Sequence, residues 1–116
     1  MHRGRGGIEY EDLVVGEGEV AKRGCTVEIE YSLSLNRGEI VQEARKYSFR
    51  IGERRVVAGL EYGVEGMRAG GKRRIRVGPH LAYRDKGVPD SIPPNAVLEF
   101  HVSLLNVQPG TGEEAA

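Results

Sequence analysis

Few residues of this chain carry reactive side chains, and their spacing excludes more chemistry than it suggests. The three histidines, His2, His80 and His101, stand far apart, sit in no nucleophile motif, and have no spacing that resembles a metal site. Cys25 is the one cysteine, so an internal disulfide, a CxxC redox pair and a multi-cysteine zinc site are all ruled out. Its place in an alternating apolar series makes it a small buried hydrophobe. Basic runs occur at Arg54-Arg55 and at Lys72-Arg73-Arg74 with Arg76, but no aromatic residue interleaves with them to stack bases. Most of that second run is expected on the solvated face of a strand. With 17 basic and 17 acidic residues, no bulk charge drives the chain onto nucleic acid or anionic membrane. Neither a metal nor a cofactor is expected. The stretch that stands out is residues 78–95, which holds four of the five prolines together with Tyr83, Val88 and Ile92. It is longer than closure of a compact domain requires, which marks it as the place for function.

That loop must be held by regular elements, and the hydrophobic pattern predicts them. From Cys25 to Leu35 apolar and polar residues alternate strictly, which describes a strand with one buried and one wet face. Asn36-Arg37-Gly38 reads as a tight turn. Ile40-Val41 begins the return, Gln42-Glu43-Ala44-Arg45 weakens the pattern, and Tyr47, Phe49 and Ile51 resume it. Residues 71–77 form a shorter strand in which Arg74 and Arg76 oppose Ile75 and Val77. Ala96–Val107 forms a long one, with Ala96, Leu98, Phe100, Val102 and Leu104 on one face. One-sided strands belong to an antiparallel sheet. Residues 57–67, with Leu60, Val64 and Met67 at helical spacing, would cover its apolar face. The fold class is therefore α+β, an antiparallel β-sheet wrapped around one short α-helix. One domain spans residues 8–108, between flexible tails at 1–7 and 109–116. No apolar run is long enough to cross a bilayer and the start lacks a signal peptide, so the expected location is cytoplasmic.

One ordered set of residues carries a resemblance. Val56-Val57, Gly59, Gly66-Met67, Gly70, Pro79, Ala82-Tyr83, Gly87, Pro89, Ile92-Pro93-Pro94, Ala96, Leu98, Phe100, Val102 and Leu104-Leu105 fall in the order and spacing of the FKBP-type prolyl isomerases. The correspondence continues upstream through Gly52, Phe49, Arg45, Gly38 and Tyr31, so that the chain resembles this family over residues 14–107. The resemblance implies an FKBP-like fold and peptidyl-prolyl cis-trans isomerase activity on X-Pro bonds of peptides or proteins. It places the pocket between the helix and the proline-rich loop. Tyr31, Tyr47, Val56, Val57, Tyr83, Ile92 and Phe100 stand where the family lines its proline site. In that scheme the Tyr83 hydroxyl and the Ile92 backbone N–H donate to substrate carbonyls and are the catalytic pair. Four positions depart from the family. Val41 stands for a phenylalanine, Gln42 for an aspartate, Leu60 for the tryptophan of the floor, and Val88 for a residue often histidine. Together they imply weaker catalysis and weak binding of macrolide inhibitors. The partners implied are proline-containing segments bound by a monomer, with no nucleic acid and no membrane. The competing expectation is an FKBP-like peptide-binding or chaperone module with little turnover, to which Val41, Gln42 and Leu60 would contribute.

Overall fold

The computed structural model describes residues 2–36, 38–53, 56–82, 84, 86–89 and 92–109. Its six strands are β1 (His2–Arg3), β2 (Glu9–Val14), β3 (Thr26–Leu35), β4 (Ile40–Arg50), β5 (Lys72–Val77) and β6 (Leu98–Gln108). They form one antiparallel sheet in the order β1-β2-β5-β6-β3-β4, with the helix α1 (Ala58–Val64) packed against it. The α+β expectation holds. Strands β3 and β6, far apart in sequence, lie side by side from Thr26↔Gln108 to Leu35↔Leu98.

Alternation decides which side chains meet the helix. Val27, Ile29, Leu33 and Leu35 of β3 are buried, as are Leu98, Phe100, Val102 and Leu104 of β6. The pattern changes phase once in β6. Glu28 pairs with Asn106 and Ile29 with Leu104, which leaves Leu105 as a bulge, 42% exposed, and turns Val107 inward. The weak stretch in β4 has the same cause. Leu33 faces Gln42 and Tyr31 faces Arg45, with register shifts between, and Ala44 adopts a φ of 48°. Its N–H is received by Ser32 Oγ at 3.2 Å.

Helix α1 is shorter than the 57–67 expected from periodicity. Glu65 leaves helical conformation with ψ 127°, and Gly66 reverses the chain at φ 95°. Leu60, Val64 and Met67 are nevertheless all buried. The glycines that weaken this helix are what let it approach the sheet. A Cβ on Gly59 would overlap Val77 Cγ1, and one on Gly63 would overlap Ile75 Cδ1, with Ile75 Cγ2 at 2.8 Å. Gly63→Ala should therefore destabilise the fold by roughly 1–3 kcal/mol through overpacking, although alanine has about 1 kcal/mol better helix propensity. Adding Ile75→Val, which removes the Cδ1, should restore part of the loss in a denaturant titration. Full stability in Gly63→Ala alone would contradict the close packing.

One sequence expectation is corrected here. Residues 2–7 were expected to be a loose tail, yet His2 and Arg3 pair with Tyr10 and Glu9, and Arg5–Gly7 forms a 3-10 turn beside α1. Their glycines answer to close approach and turning, not to looseness. A Cβ on Gly4 would sit 2.9 Å from Ile8 Cγ1, and Gly6 has φ 73°. Residues 110–116 lie outside the described residues. The basic run of β5 keeps the expected solvated face for most of its members. Arg74 and Arg76 do reach the wet face, paired with Glu11 and Glu9, but Arg73 is buried at 7% exposure. Its Nε and Nη2 donate to the two oxygens of Asp12 at 2.7 and 3.3 Å, and its Nη1 donates to Gly63 O at 2.9 Å. The guanidinium also stacks 4.2 Å from the Tyr10 ring centroid. Strand β2 sets its carboxylates opposite those arginines and packs Tyr10 against the core. Among the described residues no helix is long and apolar enough to cross a membrane.

Candidate functional site

The inner face of the sheet and the segment leading into α1 leave a cleft between them. Strand β3 contributes Tyr31 and Leu33, β6 contributes Phe100, and β4 contributes Tyr47; Val56, Val57 and the helical Leu60 close the other side. The volume is about 350 Å³. Leu33, Leu60 and Phe100 are buried and make the floor, whereas Tyr47 stands at the rim. The Tyr31 and Phe100 rings meet edge-on, 6.0 Å between centroids and tilted by 55°. Leu33 is the lining residue that the sequence reading omitted. It could have been found, being two residues from Tyr31 on the same face of one strand.

Polar groups hold this apolar surface in shape. The Tyr31 hydroxyl donates to Gln42 Oε1 at 2.9 Å. The neutral amide thus receives a hydrogen bond at the position where the family has a carboxylate. On the opposite wall the buried Glu61 carboxylate accepts the Gly52 N–H at 3.0 Å through Oε2. That bond ties the start of the segment carrying Val56 and Val57 to the helix. Sequence reasoning missed Glu61, because a charged residue at an otherwise unremarkable helical position gives no sign of burial.

The expected hydrogen-bond donors fare differently. The N–H of Ile92 is already used: it donates to Val88 O at 2.8 Å, and Val88 N–H returns the bond to Ile92 O. This two-way bridge between Val88 and Ile92 takes up within the chain the donor that the resemblance assigns to substrate. The Ile92 side chain is buried at 6% exposure as part of the core. Val57 offers the alternative. It begins α1, its carbonyl accepts the Leu60 and Glu61 N–H groups, and its own N–H meets no acceptor among the described residues. Val41, Gln42 and Val88 are half-buried near the core but are not among the described residues that line the cleft. Tyr83 lies outside the described residues. No group of three or more His, Cys, Asp or Glu side chains suited to a metal occurs among the described residues.

A six-stranded antiparallel sheet around one short helix, with an aromatic-lined apolar cleft between them, is the FKBP-like fold. The chain belongs to the FKBP-type peptidyl-prolyl cis-trans isomerase family, whose model matches residues 17–105. It is 44% identical over 102 residues to FK506-binding protein 4 of Dictyostelium discoideum, covering 86% of this chain and 28% of that protein. It is 41% identical over 107 residues to the 46 kDa FK506-binding nuclear protein of Spodoptera frugiperda, covering 89% of this chain and 26% of that one. The chain thus spans little more than a quarter of the length of these two relatives. Among solved structures, FkpA from Escherichia coli superposes with a TM-score of 0.83 at 33% identity, covering 95% of this chain and 52% of FkpA.

Proposed function

We propose that this chain is a peptidyl-prolyl cis-trans isomerase that binds X-Pro segments of peptides or proteins in the cleft between Tyr31, Phe100, Val57 and Leu60. The observation that carries the reading is a cleft lined by aromatic and aliphatic side chains, with a backbone donor in its wall, the Val57 N–H, that has no partner among the described residues. Rotation about the X-Pro bond must cross a barrier of about 20 kcal/mol, because it breaks amide resonance. The planar amide is strongly dipolar and water stabilises it; the twisted transition state is less dipolar. Moving the bond from water into an apolar cleft therefore disfavours the planar form relative to the twisted one, which is differential binding. The Val57 N–H would hold a carbonyl of the substrate chain and orient the prolyl ring over Leu33 and Leu60. Tyr83, by its resemblance to the family's tyrosine, would donate its hydroxyl to a second carbonyl. No covalent intermediate is needed.

The test is a coupled isomerase assay on short peptides, in which Tyr83→Phe should lower kcat/KM by about tenfold, the worth of one hydrogen bond. An absence of acceleration from folded wild-type protein would sink the reading. The smaller residues at Val41 and Leu60 support lower turnover and weak macrolide affinity. Leu60→Trp should fill the floor and tighten macrolide binding, measured by calorimetry; unchanged affinity would remove Leu60 from the ligand site. The chain is proposed to act as a monomer. It needs no bilayer, and a cytoplasmic location competes with the nuclear one carried in the name of the Spodoptera relative.

A further inference from the structure

A second apolar cleft lies at the end of β3, the strand that also lines the first. It measures about 250 Å³ and is lined by Leu35, Asn36, Pro93, Ala96 and Val97. Leu35 follows Leu33 by two residues on the same inward face of β3, and both are buried. Leu33 lines the first cleft and Leu35 the second, and these two residues are one strand repeat, about 7 Å, apart along β3. The Asn36 N–H is bonded to Val97 O at 2.9 Å, which joins the β3–β4 turn to the approach to β6 and fixes the shape of the far wall. On the loop side, Gly87 packs against the Ile92 and Pro93 backbone so closely that a Cβ there would lie 2.7 Å from Pro93 O. This surface is therefore held on both sides by backbone contacts.

An extended peptide has the same repeat as a strand. Its side chains at positions i and i+2 point the same way, about 7 Å apart. A substrate whose proline occupies the first cleft, and which continues in extended form toward β3's end, would set the side chain two residues from that proline over Leu35. We propose that the second cleft is a specificity subsite, which selects an apolar side chain two residues from the isomerised proline on one side of it. The inference rests on the proline-binding reading of the first cleft. The occupant is the same substrate chain, because Leu33 and Leu35, one from each cleft, share one strand face at the spacing of peptide side chains. Partial burial of a leucine there is worth about tenfold in kcat/KM over glycine.

The test uses two series of prolyl peptides on the whole chain, with Leu, Gly or Lys placed two residues before or two residues after the proline. Backbone amide NMR shifts and isomerisation rates are both followed. The expected result is a Leu-over-Gly preference of about tenfold in one series, with Leu peptides shifting Leu35 and Val97 amides as well as Val56 and Val57. Ala96→Leu, which fills the cleft, should bring that ratio near one; using a ratio cancels any general loss of rate. Shifts confined to Val56 and Val57 with every peptide, and equal rates in both series, would overturn the subsite while leaving the proline cleft standing. No shifts at either set would overturn the proline reading and the subsite with it.

Discussion

Asp12→Ala is expected to lower the unfolding free energy by about 3 kcal/mol, seen as a fall in Tm of about 15 °C. Arg73 and Asp12 form a two-pronged pair between β5 and β2, with side chains 9% and 30% exposed. Removing the carboxylate leaves a buried guanidinium with the Gly63 carbonyl and the Tyr10 ring as its remaining partners among the described residues. Water cannot reach it well, so the desolvation cost already incurred is no longer offset. The reverse deletion is milder. Arg73→Met leaves an Asp12 carboxylate with enough exposure to rehydrate, although the last turn of α1 loses the donor at Gly63 O. Combining Asp12→Leu with Arg73→Met should cost less than Asp12→Ala alone, since no unpaired charge stays buried. As a control, Glu11→Ala removes an ion pair whose members are 47% and 35% exposed and should change stability by less than about 1 kcal/mol. Equal losses for Asp12→Ala and Glu11→Ala would show that burial of Arg73 has no energetic consequence.

Val57→Pro is expected to cut isomerase kcat/KM about tenfold without loss of stability. Val57 has φ −58°, a value proline already prefers, and its N–H makes no bond among the described residues. The folded chain thus gives up no internal hydrogen bond, while the unfolded chain loses freedom, a gain of about 0.4–1 kcal/mol. What proline removes is the donor at the edge of the cleft. Val57→Ala trims the same wall but keeps the N–H, so it reports the apolar contribution alone. A larger fall in rate for proline than for alanine, at matched stability, assigns the N–H a role in binding substrate. Equal rates for the two variants would sink that role.

Much of the architecture was legible because it rests on periods. The alternation in 25–35 and 96–107 announced the two strands that now lie side by side, and Leu60, Val64 and Met67 announced the helix face. Six of the cleft residues, Tyr31, Tyr47, Val56, Val57, Leu60 and Phe100, were named from the resemblance and do line one cavity. Illegible features were those that depend on what lies across a gap. Arg73 has the same charge as Arg74 and Arg76; only the parity of β5 and the position of Asp12 on a neighbouring strand separate a core residue from a surface one. Glycine-rich residues 2–7 look unstructured in composition, whereas Gly4 lies close against Ile8, and Gly6 turns the chain at positive φ beside Tyr62 and Leu81.

The hydrogen-bond donors draw the same line more sharply. Side-chain identity is written in the sequence, so the apolar lining of the cleft could be assigned residue by residue from pattern and resemblance. Whether a backbone N–H is free is not written there, because every residue except proline has one. Ile92 and Val57 differ only in what the fold places opposite them: Val88 O receives the first, and the start of a helix leaves the second without a partner among the described residues. The local sequence therefore determined the strands, the helix face and the apolar character of the cleft, since those follow from side-chain periodicity. Tertiary structure alone decided which backbone donor is taken up internally and which arginine is paired in the core, since both depend on partners that the fold brings together.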